Sequence, residues 1–148
     1  MIQIRYSSFE TNSSSVHTLV IPKDQSLNIP KSVYLRLGVY DRENRKVYDT
    51  LNYIYTACYE KGKDELNKLF SYLTRKGVEN IQSDTRGWGI IDHLEYLPLE
   101  DLFANENLLD RFIFGEDSYI ELIDDQYKRW PEKDDYDLDK YDIIIKGN

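Results

Sequence analysis

The stretch Arg5-Tyr6-Ser7-Ser8-Phe9-Glu10-Thr11-Asn12-Ser13-Ser14-Ser15-Val16-His17 gathers a guanidinium, a carboxylate, an amide, several hydroxyls and an imidazole into thirteen residues. Two chemistries fit such a set. In one, Ser14 or Ser15 is a nucleophile, His17 its general base and Glu10 the group orienting the imidazole, while Asn12 or backbone N–H groups stabilise an oxyanion. In the other, Arg5 grips a nucleotide or other small anion, with Asn12 and Ser13 among the donors of a hydroxyl-lined turn. A structural reading stands beside both. Serines, threonines and asparagines satisfy their own turn backbone, and strand alternation puts His17 on the side of Leu19 and Ile21, where it would be a core residue.

The elements that must position these residues follow from periodicity. Ile2, Ile4 and Tyr6 alternate with Gln3 and Arg5, and Val16 to Ile21 is a second apolar run ended by Pro22, so both read as strands on either side of the Ser-rich loop. Ser32 to Leu37 is a third, closed by Gly38. Val47, Leu51, Ile54, Tyr55 and Cys58 line one helical face, with Gly62 as a stop. Asp64 to Lys76 repeats the pattern and offers Gly77 as its C-terminal cap, which predicts a helical hairpin. Val78 to Gln82 reads as a short strand and Gly87-Trp88-Gly89 as a turn. A short helix runs from Pro98 to Phe103, and a further one ends at Gly115. Ser118 to Ile123 and Tyr141 to Lys146 are the last strands, with a charged loop between them. The sum is an α+β fold in a single domain over residues 1–148, with a mixed or antiparallel sheet from the terminal strands and a central helical hairpin.

Residues 5–17 also resemble the N-terminal signature, Arg-x-x-x-Phe-Glu-Thr-Asn-Ser-Ser-Ser-x-His, of a loose group of small proteins encoded by bacteriophages and mobile elements. A second similarity lies in Phe112-Ile113-Phe114-Gly115-Glu116-Asp117-Ser118-Tyr119-Ile120 followed by Asp124-Asp125. The resemblance implies a phage setting and transfers no catalytic residue. By analogy with other small phage proteins, it implies action on host defences, as anti-CRISPR inhibitors act.

Charge points to where such a protein would make contact. Of the 148 residues 27 are acidic and 19 basic, giving a net charge of -8. Residues 116–142 hold 11 acids against 4 bases, whereas residues 1–115 hold 16 against 14, so the acidity is regional. DNA and RNA backbones would be repelled by that segment, while a basic or nucleic-acid-binding host protein is its natural partner. Asp124, Asp125, Asp134, Asp135, Asp137 and Asp139, interleaved with Tyr136, are the expected contact residues; a solvated edge that keeps the chain soluble is the plain alternative.

Other chemistry is thin. Asp135, Asp137 and Asp139 begin like a calcium loop, but Lys140 and Lys146 stand where glycine and glutamate are required. His93, between Asp92 and Glu95, would need His17 nearby to hold a metal, and no spacing demands it. Cys58, the single cysteine, precludes an internal disulfide, and the phosphate-cradling glycine motifs are missing. Trp88 and Trp130 read equally as core residues or as interface anchors. No cofactor and no metal is expected. No apolar run approaches bilayer length and the N-terminus does not read as a signal peptide, so a cytoplasmic location and no membrane partner are expected, the host cytoplasm if the protein is phage-encoded. The leading expectation is an inhibitor that binds through its acidic surface; a small enzyme or anion-binding protein built on residues 5–17 is the alternative.

Overall fold

The computed structural model describes residues 15–38, 47–85, 97–124 and 131–146. Its elements in chain order are β1 (Ser15–Pro22), β2 (Ser32–Arg36), α1 (Val47–Lys61), α2 (Lys63–Lys76) and β3 (Asn80–Asp84). They continue with α3 (Leu99–Ala104), α4 (Glu106–Phe114), β4 (Tyr119–Asp124) and β5 (Tyr141–Lys146). The fold is α+β. An antiparallel sheet of order β4-β1-β5 joins N- and C-terminal strands, α1 and α2 form the helical hairpin, and β2 and β3 make a separate parallel pair.

Strand β1 is central to the antiparallel sheet and is buried on both faces: Val16, His17, Thr18, Leu19, Val20 and Ile21 are all at most 1% exposed. The alternation of the sequence suggests one buried side. Helix α4 packs on β1, Tyr53 of α1 meets His17, and Leu19 and Ile21 join the main hydrophobic cluster, while Val20 is paired with Ile143 of β5. Phe112 and Phe114 of α4 are fully buried, and Tyr72 of α2 stacks on Phe114 at 6.1 Å between centroids. Full burial of each such side chain contributes roughly 1.5–3 kcal/mol.

Helix α1 departs furthest from its pattern. The apolar spacing predicts one buried face, yet every residue from Thr50 to Cys58 is buried. Its polar side chains are enclosed because they serve backbone groups of neighbouring elements. Thr50 Oγ1 donates to the Ile113 carbonyl, Asn52 Oδ1 accepts from the Arg36 N–H, and Thr56 Oγ1 accepts from the Gly38 N–H. A threonine or asparagine used this way has the same sequence signature as one facing water.

Helix α2 ends as the sequence predicts. Gly77 takes a left-handed φ of 107°, and the Val78 N–H bonds back to the Leu73 carbonyl, a geometry that favours glycine. Because Val78 belongs to this cap, the strand expected from Val78 begins only at Asn80. The expected strand Ile2 to Tyr6, the Gly87-Trp88-Gly89 turn, His93 with Asp92 and Glu95, and Trp130 lie outside the described residues. Among the described residues no helix is long and apolar enough to cross a membrane.

Candidate functional site

The acidic segment enters the described structure at Gly115, where α4 meets the loop after β1. A side chain at Gly115 would collide with the Arg111 carbonyl and the Gln25 amide, so this junction tolerates only the missing Cβ. Gln25 holds it from outside. Its Nε2 contacts the Pro22 carbonyl (3.0 Å), the Arg111 carbonyl (3.2 Å) and Ser118 Oγ (2.8 Å), while its Oε1 accepts from the Asp117 N–H at 2.9 Å. Ser118 Oγ donates in turn to the Arg111 carbonyl at 2.6 Å. The chain therefore leaves α4 and enters β4 along a fixed path.

At the far end, residues 132–141 form a turn locked by its own backbone. A short 3-10 turn covers Lys133–Asp135, and Asp135 Oδ2 accepts from the Glu132 N–H at 2.8 Å. The Asp137 carbonyl accepts from both Lys140 and Tyr141, and Asp137 Oδ1 accepts from the Asp139 N–H at 3.1 Å. The turn is tied to the body at three places. The Lys23 N–H bonds to the Lys140 carbonyl, Asp142 pairs with Arg111 at 2.8 Å, and Tyr136 Oη donates to Glu121 at 2.7 Å. Burial, followed by the bond to the anionic Glu121, pushes the Tyr136 hydroxyl up to about 12, so this phenol remains a neutral donor at physiological pH.

Glu132, Asp134, Asp135, Asp137 and Asp139 are exposed on this turn, against the two lysines Lys133 and Lys140. Leu138, 42% exposed, stands among them as an apolar projection that charge counting alone overlooks. Of the residues singled out from sequence, the turn thus brings together Asp134, Asp135, Asp137 and Asp139. Tyr136 is half-buried, its hydroxyl turned to Glu121.

Asp124 stands apart. Strand register sets it opposite Ser15 at one end of β1, while Tyr141, where the turn feeds β5, is opposite Pro22 at the other. Seven residues of strand separate the two ends, about 23 Å. Asp124 and the turn therefore lie at opposite ends of β1. Among the described residues of the segment, exposed carboxylates stand at 116–117 and at 132–139, and Asp125 lies outside the described residues.

The second constellation is described only at its edge. His17 is fully buried, its Nδ1 2.7 Å from Tyr53 Oη and its ring edge-on to the tyrosine at 5.7 Å. Ser15 opens β1, paired through its backbone with Asp124. Arg5, Glu10, Asn12, Ser13 and Ser14 lie outside the described residues. Tyr53, the partner of His17, was invisible to sequence reading because it falls off the apolar face predicted for α1.

A different polar seam, which sequence reasoning did not foresee, joins α2 to α4. Tyr72 Oη donates to Asp110 at 2.6 Å, Lys76 reaches both Asp110 (2.9 Å) and Glu106 (3.1 Å), and Arg75 also pairs with Glu106. The hydrogen bonds from Lys76 and Arg75 hold the Glu106 carboxyl below its ordinary value. Those to Asp110 and Glu106 raise Lys76, and burial, reinforced by Asp110, raises Tyr72. Among the described residues no group of three or more His, Cys, Asp or Glu side chains is arranged to hold a metal. Cys58, on α1, is buried, and burial pushes its thiol up to about 12, which makes it a poor nucleophile. No family model, curated protein or solved structure matches this chain.

Proposed function

We propose that this chain is a phage-type accessory protein that binds and inhibits a host defence protein, presenting the carboxylates of residues 132–139 to a basic, nucleic-acid-binding surface. The observation that carries the reading is the turn itself, exposed acids on a backbone already fixed by internal hydrogen bonds. A pre-set array loses little conformational entropy on docking. Carboxylates spaced along it would be read by lysines and arginines that ordinarily meet phosphates, and would steer a basic partner during encounter. Leu138, exposed among them, adds apolar area that a charged rim alone lacks.

The experiment starts from whole chain used as bait in a bacterial host lysate, with the retained basic protein identified and its binding kinetics measured. Asp134, Asp137 and Asp139 are then changed together to Asn. Asparagine keeps a side-chain oxygen for the Asp139 N–H while removing three charges, and Asp135 is left intact because it caps the Glu132 N–H. The association rate of the triple variant at low salt is expected to fall by about tenfold or more, with a flatter dependence on ionic strength. An unchanged rate and an unchanged salt slope would remove the turn from the interface.

A further inference from the structure

Outside the acidic turn, a groove of about 360 Å³ runs between α2 and α3, lined by Asn67, Lys68, Ser71 and Arg75 of α2 and by Phe103 of α3. Asn67, Ser71 and Arg75 recur every four residues and so share one helical face, and Lys68 lies two turns before Arg75, about 10.5 Å along the axis. The groove thus offers two cations, a hydroxyl and an amide on one wall and an aromatic ring from the other helix. We infer that it binds a small phosphorylated aromatic molecule of nucleoside-monophosphate size.

Three observations carry this. Both cations are released at low cost. Arg75 shares Glu106 with Lys76, so when Arg75 turns to an incoming phosphate Glu106 keeps Lys76 as a partner. Lys68, half exposed, is held among the described residues by Glu65 at 3.5 Å. An arginine freed in this way can take a phosphate through two parallel N–H bonds, which a carboxylate-paired lysine does less well. Phe103 supplies the second recognition element. It is half-buried and packed against the core, so its ring is already fixed, and a planar base stacking on it orders little that is not ordered already. Size supplies the third, because the volume sits at the lower end of the roughly 300–1,000 Å³ of small-molecule sites and suits a mononucleotide better than a chain. The site is independent of the acidic turn, and its success or failure leaves that reading untouched.

The test follows backbone amide shifts of the full chain during titration with each of the four ribonucleoside monophosphates, with inorganic phosphate, adenosine and tetraglutamate as comparisons. At least one nucleotide is expected to give saturable shifts concentrated at residues 67–75 and 103. Phosphate and adenosine alone should bind about tenfold or more weakly, since each keeps only one of the two recognition elements. Arg75→Gln should weaken nucleotide and phosphate together, whereas Phe103→Leu should weaken the nucleotide alone. Ser71 is exposed, so Ser71→Trp fills the groove without entering the core and should abolish binding with the fold intact. The inference falls if no nucleotide saturates, if tetraglutamate binds as tightly as the best nucleotide, or if Ser71→Trp binds that nucleotide like the parent.

Discussion

The seam between α2 and α4 and the turn at 132–139 are both rich in carboxylates, and they use them in opposite ways. In the seam Glu106 and Asp110 each meet a cation or a buried hydroxyl, and Lys76 bridges the two. In the turn the side chains of Asp135 and Asp137 accept from N–H groups of the turn itself, and the lysines there, Lys133 and Lys140, are exposed. One set of acids joins two helices. The other is held out from the surface by a backbone that needs their shape more than their charge. Counting acids along the chain cannot make this distinction, because it depends on which helix faces which.

The comparison is sharpest when a member of the seam is removed. Asp110→Ala takes the acceptor from the buried Tyr72 hydroxyl and an anionic partner from Lys76, and is expected to cost about 2 kcal/mol of folding stability, within the range for losing a hydrogen bond to a charged group. Urea unfolding followed by circular dichroism measures it. A loss below about 0.5 kcal/mol, the level of an ordinary surface change, would show that the seam contributes little.

Next in size is the dependence on pH. Glu106 is lowered in the folded chain, so its contribution is present above the ordinary carboxylate range and disappears as pH falls through the folded value. Lys76 and Tyr72 are raised, so theirs are complete below the ordinary values of 10.5 and 10.0 and are lost as pH rises beyond them. From these three groups stability should hold level between the two limits and decline above about pH 10 as unfolded tyrosine ionises, with the raised Cys58 and Tyr136 adding to the alkaline decline. Tyr72→Phe should flatten the alkaline decline in thermal melts. If the decline is equally steep without the Tyr72 hydroxyl, Tyr72 is not its source.

The smallest effect belongs to the turn. The Asp134, Asp137 and Asp139 to Asn variant should change unfolding free energy by no more than about 0.5 kcal/mol, since the charges are exposed and the acceptor at position 137 survives. A large destabilisation would mean that these carboxylates hold the fold, as those of the seam do.

What could be read in the sequence was what depends on local period and local stereochemistry. Strands at Val16 to Ile21 and Tyr141 to Lys146, the two helices ending at Lys61 and Lys76, and the cap at Gly77 all follow from neighbours within a few residues. The α+β class follows from their order. What escaped depends on partners far away in the chain. Gln25 fixes the Gly115 junction across some ninety residues, and no pattern marks a lone glutamine for that task. Thr50, Asn52 and Thr56 look like a solvent face until β2 and α4 bring their backbone groups against α1. The acidic run is legible in composition, but the strand register that sends Asp124 to the opposite end of β1 from the turn is not. The groove on α2 was not legible at all, since its aromatic wall comes from another helix.

Hydrogen exchange of the chain, alone and in complex with any basic host protein retained on it, tests the proposed interface directly. Docking on the turn predicts slower exchange on binding at the amides of residues 133–141, with those of α1 unchanged. Protection confined to other parts of the chain, with 133–141 exchanging as fast in the complex as in the free protein, would contradict the account.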